Sequence, residues 1–224
     1  MSLILGIETT TKNCSVAQFK YGIVIAEKEH ISDGYRHAEQ ITLFIQDVID
    51  SANITLEKVE AVALSVGPGS YTGLRVGAST AKGLCYSLDI PFIDISTLKA
   101  MAFAMARNEK SAIYCPMIDA RRMEVFSALY DINNNQVRGV QADVVDENTY
   151  AEFLENEIIF FGDGSLKCEG IINHTNAKFM KGIHPSAINL GILAKAKFEN
   201  KDFEDVAYFE PYYLKDFLAG TKKA

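Results

Sequence analysis

The sequence lacks the features that mark several large protein classes. Its four cysteines, Cys14, Cys85, Cys115 and Cys168, lie far apart and form no C-x-x-C pair, so no zinc or redox motif is indicated. We expect buried free thiols in a reducing compartment. No apolar run approaches the ~20 residues that span a bilayer, and no basic residue precedes the short N-terminal apolar run, as one would in a signal peptide. These absences predict a soluble, cytoplasmic protein that makes no membrane contact.

Positive charge is also scarce. Lys and Arg number 22 against 29 Asp and Glu, which gives a formal net charge of −7. A chain that binds nucleic acid by itself needs clustered basic residues, so this composition disfavours that class. An acidic chain can still join an RNA-handling assembly through a basic partner. Hydrophobic residues make up 48% of the chain, which excludes a disordered protein.

Hydrophobic patterning in the first half predicts three strands followed by alternating helices and strands. The two short links between the first three strands favour antiparallel pairing. Ser32, Asp33 and Gly34 are cap candidates for the first helix. The predicted strands cover Leu3–Ile7, Cys14–Phe19, Ile23–Ala26, Val59–Val66 and Pro91–Ile95, and the predicted helices cover Tyr35–Ala52, Ser70–Leu88 and Thr97–Arg107.

The second half repeats the order of three strands, a helix and a strand. Such alternation predicts mixed sheets flanked by helices, and its recurrence predicts a duplicated α/β fold with lobes at residues 1–105 and 106–224. We expect Tyr212–Leu218 to return to the first lobe. The predicted strands are Ile113–Ile118, Glu124–Tyr130, Val137–Val145 and Ile158–Phe161, and helices are predicted over Glu147–Leu154 and from Ser186 to Phe198.

Two segments of the first half could contact a phosphate. Glu8, Thr9 and Thr10 directly follow the first strand, where an acidic residue and two hydroxyls could hold a metal–phosphate, or could simply satisfy turn amides. Gly67–Arg75 places two glycines before a helix start, which can bind anions. It matches neither a Walker loop nor G-x-G-x-x-G, and a tight structural turn explains it equally well.

Two apolar features of the predicted helices require a packing partner. Gly73, Gly77 and Ala81 recur every four residues and form a bare strip, although each glycine costs a helix roughly 1 kcal/mol relative to alanine. The strip could pack on another element of this chain or on another protein. Leu43 lies opposite the apolar face of the first helix, so that helix is apolar on a second side.

Other chemistry has little support. His37 is followed by Ile41 where a second helical metal ligand would stand, so we expect a polar helix-start residue and no metal site. No G-x-S-x-G motif occurs, and no local pattern assembles a nucleophile with a histidine. Asp119 precedes Arg121 and Arg122 at a predicted strand end, and we expect it to pair with one of these arginines or to hold the turn.

Taken together, these motifs resemble the TsaB (YeaZ) family along nearly the whole chain. Small departures are Glu8, Tyr71 and Lys215, where the family usually has Asp, Phe and Arg. The matching segments are residues 4–10, 14–17, 67–77, 91–98, 118–121, 124–126 and 211–215.

The resemblance implies an actin-like (ASKHA, ribonuclease H-like) fold and a role in making threonylcarbamoyladenosine beside the anticodon of tRNA. In that pathway TsaC supplies threonylcarbamoyl-adenylate, TsaD transfers the group to tRNA, and the ATPase TsaE assists turnover. The resemblance implies a pseudo-enzyme that uses no cofactor and holds no metal. It would bind and activate TsaD, reach TsaE and tRNA within the complex, and form a homodimer when alone.

Two enzymatic alternatives remain beside the scaffold: an ATP-binding phosphotransferase or ATPase of the same fold, and a glycoprotease-type peptidase.

Two sets of site residues follow from the scaffold interpretation. The expected partner interface comprises Ile41, Leu43, Phe44, Ile45, Val48, Gly73, Val76, Gly77, Thr80, Ala81 and Leu84, and the expected vestigial nucleotide cleft comprises Glu8, Thr9, Thr10, Gly67, Gly69 and Ser70.

Overall fold

A computed structural model describes residues 2–32, 34 and 36–215, and it contains two five-stranded mixed sheets flanked by helices. The first sheet is built from β1 (Leu3–Glu8), β2 (Asn13–Lys20), β3 (Ile23–Ile31), β4 (Ala61–Ser65) and β5 (Phe92–Ile95). The second comprises β6 (Ile113–Asp119), β7 (Glu124–Asp131), β8 (Gln136–Val144), β9 (Ile158–Phe161) and β10 (Ala177–Met180). The helices are α1 (His37–Ser51), α2 (Tyr71–Leu88), α3 (Thr97–Asn108) and α4 (Gly191–Glu199).

The two sheets share one topology. The strand orders are β3-β2-β1-β4-β5 and β8-β7-β6-β9-β10. The first strand of each set pairs antiparallel with the second and parallel with the fourth. The repeated plan and the mixed sheets predicted from element order are therefore confirmed.

The first strand is buried on both faces, as its unbroken apolar run predicts. On one face, Leu5 and Ile7 pack in a core with the apolar stripe of α1 and with α2. On the other face, Ile4 packs with Phe19 and with Leu190 from the region just before α4. The first sheet thus lies between two layers of helix, which fixes the end of β1 rigidly.

Two predicted helices differ from the structure. The segment Glu147–Leu154 forms only a short 3₁₀ turn over Ala151–Phe153. The Thr149 hydroxyl accepts the Asp146 amide at 2.8 Å, as at a helix start, but the bonds that follow span three residues, such as the Ala151 amide to the Asn148 carbonyl at 3.0 Å, so the turn stays 3₁₀. The helix predicted from Ser186 begins as a 3₁₀ turn over Ala187–Leu190 and becomes α-helical at Gly191.

The start of α1 also differs from the prediction. Its N-cap is Arg36, which offers no side-chain cap bond, whereas the Ser32 hydroxyl donates to the Gly34 carbonyl instead. The third cap candidate, Asp33, and the predicted first helical residue, Tyr35, lie outside the described residues. The prediction that Ser32 or Gly34 caps this helix is therefore wrong, because the chain turns locally before the helix begins.

The last part of the chain returns to the first sheet. Ala187, Leu190 and Ala194 are buried against the face of that sheet opposite α1 and α2, and residues after 200 pack along β5. This return begins well before Tyr212, and Asp216–Leu218 lie outside the described residues. The division of the chain at residue 105 stays a prediction. Among the described residues, no helix combines the length and apolarity needed to cross a bilayer.

Candidate functional site

The turn after β1 meets the start of α2, and this junction forms the floor of the cleft between the lobes. The Thr9 hydroxyl donates to the Gly73 carbonyl at 2.8 Å, and the Ser70 amide donates to the Thr10 carbonyl at 2.7 Å. His37 shares a 2.7 Å hydrogen bond between its Nε2 and the Thr11 carbonyl. The expected cleft residues Thr9, Thr10 and Ser70 are therefore brought together by direct contacts.

The glycines before α2 allow this close approach. A Cβ on Gly69 would lie 2.5 Å from the Thr10 carbonyl oxygen, so a larger residue would push the two loops apart. Gly67 has a φ of +115°, which only glycine adopts readily, and a Cβ there would lie 2.9 Å from the Tyr212 carbonyl oxygen. The structural-turn interpretation thus accounts for both glycines.

Glu8 lies at the base of this junction and is fully buried. Its Oε1 accepts the Thr10 amide at 2.5 Å. Burial raises the pKa of Glu8 to about 7, although hydrogen bonds from Ser65 and Thr10 lower it in part. The Glu8 carboxyl group therefore changes its charge near neutral pH.

Three amides of the glycine loop are occupied within the chain. Binding a nucleotide phosphate would require free amides at the start of the helix. The Ser70 amide donates to the Thr10 carbonyl, the Gly73 amide to the Ser70 hydroxyl at 3.3 Å and the Gly67 amide to the Thr97 hydroxyl at 3.0 Å. These three amides are therefore not available to a phosphate.

The bare strip of α2 faces the inside of the chain. Cβ atoms on Gly73 and Gly77 would collide with the Thr9 backbone and hydroxyl respectively, and Ala81 is fully buried. The strip therefore packs on β1 and on the turn that follows it. The hypothesis that these three residues contact another protein is corrected, because the close approach that requires glycine is made by Thr9.

The apolar stripe of α1 is internal as well. Ile41, Phe44, Ile45 and Val48 are buried in the first core, so they stabilise the lobe and do not form a free surface. Leu43, on the opposite side of the helix, is 62% exposed. The second apolar side predicted for this helix is thus present at the surface, where the chain leaves it uncovered.

The surface between α1 and α2 contains a groove of about 680 Å³. Thr80 and Leu84, two of the expected interface residues, line it and are partly exposed, as is Val76 nearby. Gly83 also lines the groove, and a Cβ there would meet nothing within 4 Å. The full lining is Thr42, Ile45, Gln46, Ile49, Asp50, Ile54, Thr55, Leu56, Glu57, Ser79, Thr80, Gly83 and Leu84.

The second lobe faces the cleft with a charged turn. Asp119 accepts the Arg121 amide at 3.0 Å and forms an ion pair with Lys167, so it holds the turn as predicted, but its charge partner is a lysine. Arg121 and Arg122 have φ values of +70° and +49°. Across the described residues, no group of three or more His, Cys, Asp or Glu side chains is placed to hold a metal ion.

The cysteines take no part in this site. All four are buried free thiols, as the composition predicts. Burial raises the pKa of Cys14 and of Cys85 to about 12, so both stay protonated and unreactive at neutral pH. His37 is likewise buried, which lowers its pKa and keeps the ring neutral.

Comparison with known proteins relates this architecture to tRNA modification. A family model described as "TsaD: tRNA N6-adenosine threonylcarbamoyltransferase" matches residues 25–220. The tRNA threonylcarbamoyladenosine biosynthesis protein TsaB of Bacillus subtilis is 30% identical over 225 residues, 95% of this chain and 93% of the relative. This chain belongs to the TsaB family. The Escherichia coli TsaB is 29% identical over 98% of this chain and 97% of the relative.

Solved structures agree on the fold. YeaZ from Pseudomonas aeruginosa superposes with a TM-score of 0.80 at 24% identity, covering 96% of this chain and 100% of that one. An activator of 2-hydroxyisocaproyl-CoA dehydratase from Clostridium difficile, described with bound ADPNP, superposes with a TM-score of 0.51 at 11% identity over 91% of this chain and 98% of that one. The fold is therefore the actin-like type that the sequence resemblance implies.

Sequence reasoning missed two parts of this site. One is the groove residue Gly83, which lies outside the strip of Gly73, Gly77 and Ala81. The other is the crossing of the cleft: Tyr212 and Tyr213 return to the first lobe as expected, but they also line the cleft between the lobes. A further glycine inside a long predicted helix was an available signal for the first, but no local pattern shows that a C-terminal segment crosses a distant cleft.

Proposed function

We propose that this protein is a non-catalytic subunit in tRNA threonylcarbamoyladenosine biosynthesis that binds TsaD and activates it. The observation that carries the proposal is the uncovered apolar groove between α1 and α2, in a chain where three amides of the glycine loop are bonded internally. TsaB relatives are named for this pathway, and a TsaD from Phocaeicola vulgatus is 32% identical over 116 residues, 46% of this chain and 34% of that enzyme.

The groove has the chemistry of a helix-binding surface. Ile54, Leu56 and Leu84 are partly exposed apolar residues that line it, and Leu43 adds an exposed apolar residue elsewhere on α1. Gly83 costs α2 roughly 1 kcal/mol relative to alanine and, unlike Gly73 or Gly77, makes no internal contact that requires glycine. Close approach of a partner helix would offset that cost, as small residues permit in other helix pairs.

Activation follows if TsaD binds through this groove in only one arrangement of its own lobes. A partner with a higher affinity for the competent state shifts the population toward it by the ratio of the two affinities. No bond-making by the present chain is needed. In this proposal TsaE joins the complex of the two proteins, and tRNA is reached through the complex, in keeping with a net charge of −7.

In the absence of TsaD, the same groove would pair with a second copy of this chain. A two-fold dimer is the common way for an apolar patch to be covered by an identical patch. The dimer and the TsaD complex would then compete for one surface. Dimer dissociation should therefore accompany the binding of TsaD.

The direct test is a glycine-to-acid substitution in the groove. Gly83→Glu should weaken TsaD binding, measured by titration calorimetry, by at least about tenfold, since burying an unpaired carboxylate costs well over 1.4 kcal/mol. Gly170→Glu is the matched control in the second lobe, because a Cβ on either glycine meets nothing within 4 Å. Equal affinities for TsaD in the two folded variants would contradict the proposed surface.

Catalytic tests separate this proposal from its rivals. In a reconstituted tRNA threonylcarbamoylation assay, Gly83→Glu should lower product formation in proportion to lost complex, and excess variant should restore it. ATP hydrolysis and peptide cleavage should stay at background for the purified chain alone. Robust ATP turnover by the isolated chain, abolished by Glu8→Ala, would instead support the phosphotransferase or ATPase alternative.

A further inference from the structure

Residues 204–209 run beside β5 and are anchored to the first lobe. The Glu204 amide donates to the Phe92 carbonyl at 2.9 Å, and the Phe209 ring packs edge-on against the Phe92 ring with centroids 4.5 Å apart. Lys82 of α2 donates to the Ala207 and Phe209 carbonyls at 3.1 and 3.2 Å. Residues 204–209 therefore pack as part of the first lobe.

The next six positions, residues 210–215, run across the beginning of α2. The Tyr212 amide donates to the Val66 carbonyl at 2.9 Å. The Tyr213 ring packs on the Tyr71 ring with centroids 5.2 Å apart, and its hydroxyl accepts a hydrogen bond from Arg75 Nε at 3.3 Å. The Arg75 guanidinium in turn lies 4.2 Å from the centre of the Tyr71 ring.

The same segment then reaches the second lobe. Lys215 forms an ion pair with Glu124, the first residue of β7. The cleft beneath it, of about 620 Å³, is lined from one side by Thr10 and Tyr71 and from the other by Asp119 and Phe126, and Tyr212–Lys215 form its third wall. Residues 210–215 thus contact both walls of the cleft.

We propose that residues 210–215 act as a latch that holds the two lobes at one angle and keeps the cleft between them closed. Each side-chain contact of the latch is of a kind that is weak by itself: a partly exposed ion pair, a ring pair and an exposed hydrogen bond from Arg75. The lobes also meet through a buried apolar cluster, in which Leu98 and Met101 of α3 contact Tyr114 and Ile118 of β6. The latch can therefore release while this cluster keeps the lobes attached.

The proposal predicts that weakening the latch opens the lobes of the isolated chain. Spin labels on Glu27→Cys in the first lobe and Asn173→Cys in the second would report the distance, because both positions are exposed and the native cysteines are buried. Tyr213→Ala combined with Lys215→Glu should lengthen and broaden the distance distribution. Hydrogen exchange of the Tyr212 amide should accelerate by at least about tenfold as the latch detaches.

Matched controls separate latch release from general destabilisation. Tyr208→Ala removes a tyrosine that is 86% exposed, and Lys178→Glu reverses an exposed charge on the edge strand β10; both should leave the distance unchanged. Glu124→Lys added to Lys215→Glu should restore the closed distance by re-forming the ion pair with the charges exchanged.

One result overturns the latch. If the folded double variant, checked by circular dichroism, keeps the parental distance distribution and the parental exchange rate at Tyr212, residues 210–215 do not set the lobe angle. Should Tyr213→Ala fail to fold, Lys215→Glu alone carries the same test, since the Lys215 side chain is 47% exposed and its replacement leaves the core intact.

Discussion

The two lobes share a strand order but cover their sheets differently. In the first lobe, the connection after β3 is the helix α1 and the connection after β4 is α2, an 18-residue helix. In the second lobe, the matching connections are only 3₁₀ turns, Ala151–Phe153 and Leu166–Cys168. The first lobe alone therefore offers a pair of long helices with a groove between them, which is why we place the partner surface there.

The turn after the first strand is buried in the first lobe and exposed in the second. Thr9 and Thr10 are fully buried against α2, whereas Arg121 and Arg122 are exposed. The buried turn is possible because a long helix with glycines at its start packs on it. A duplicated sheet thus does not imply a duplicated site, since the helices decide which turn is enclosed.

The largest expected effect comes from filling the contact between α2 and the buried turn. Gly73→Val places side-chain atoms against the Thr9 backbone, which cannot move without disrupting β1. We expect a loss of more than about 3 kcal/mol in the free energy of unfolding, measured by urea denaturation. Gly170→Val is the control in the second lobe, because a Cβ on Gly170 meets nothing within 4 Å; similar losses for both would refute the argument.

The next effect concerns Glu8, which ends β1 as Asp119 ends β6. Because the pKa of Glu8 is about 7 in the fold against an ordinary 4.5, the unfolded chain loses this proton first. Stability from this group is full below pH 4.5 and falls as pH rises toward 7. The difference of 2.5 pH units (7 − 4.5) corresponds to about 3 kcal/mol.

Glu8→Gln should therefore gain stability relative to the parent between pH 5 and pH 8, as measured by urea denaturation at each pH. A Glu8→Gln curve that is parallel to the parent would show that the Glu8 carboxyl group is already ionised at pH 5.

A smaller effect is expected in the second lobe, where the connection between β8 and β9 contributes Tyr150 to a buried polar cluster. The Tyr150 hydroxyl donates to Asp143 Oδ2 at 3.0 Å, and Asp143 also binds Ser127 and Arg138. Tyr150→Phe should cost about 1–2 kcal/mol in thermal or urea unfolding. Tyr208→Phe, at an exposed ring, should cost nothing measurable; a neutral Tyr150→Phe would show that the cluster contributes no stability through this hydroxyl.

The smallest effect distinguishes the two kinds of glycine in α2. Gly83→Ala should stabilise the isolated chain by up to about 1 kcal/mol, because Gly83 is exposed and needs no special conformation. The same substitution should weaken TsaD binding if a helix approaches closely there. A variant that is both more stable and equally tight in calorimetry would remove Gly83 from the proposed contact.

Much of the fold was predictable because it depends on local patterns. The unbroken apolar run of Leu3–Ile7, the alternation of strands with helices, and the repeat of that order each have a direct physical meaning. The segment Glu147–Leu154 was not predictable in this way. Its composition permits a helix, but the buried Tyr150 hydroxyl donates to Asp143 of β8, and this tertiary contact is not visible in the local pattern.

The candidate site was likewise predictable only in part. Sequence periodicity correctly places Gly73, Gly77 and Ala81 on one strip and Leu43 opposite the apolar stripe of α1. Periodicity cannot show that Thr9 covers the glycine strip of α2 whereas Leu43 of α1 stays exposed. From the pattern alone, each feature is a surface that could be covered, and the residue that covers it is set by tertiary packing. The family was also readable from sequence, since its glycine-rich segment at residues 67–77 is distinctive.

By itself, the sequence determined the order of the elements, the apolar faces, the buried thiols and the family to which the chain belongs. Only the tertiary structure decided which apolar face is internal, which loop amides are bonded within the chain, and how Tyr213 and Lys215 reach across the cleft. The physical reason is distance along the chain. Periodicity reports what a residue needs, whereas its partner, such as Thr9 for Gly73 or Glu124 for Lys215, lies dozens of residues away and is chosen by packing.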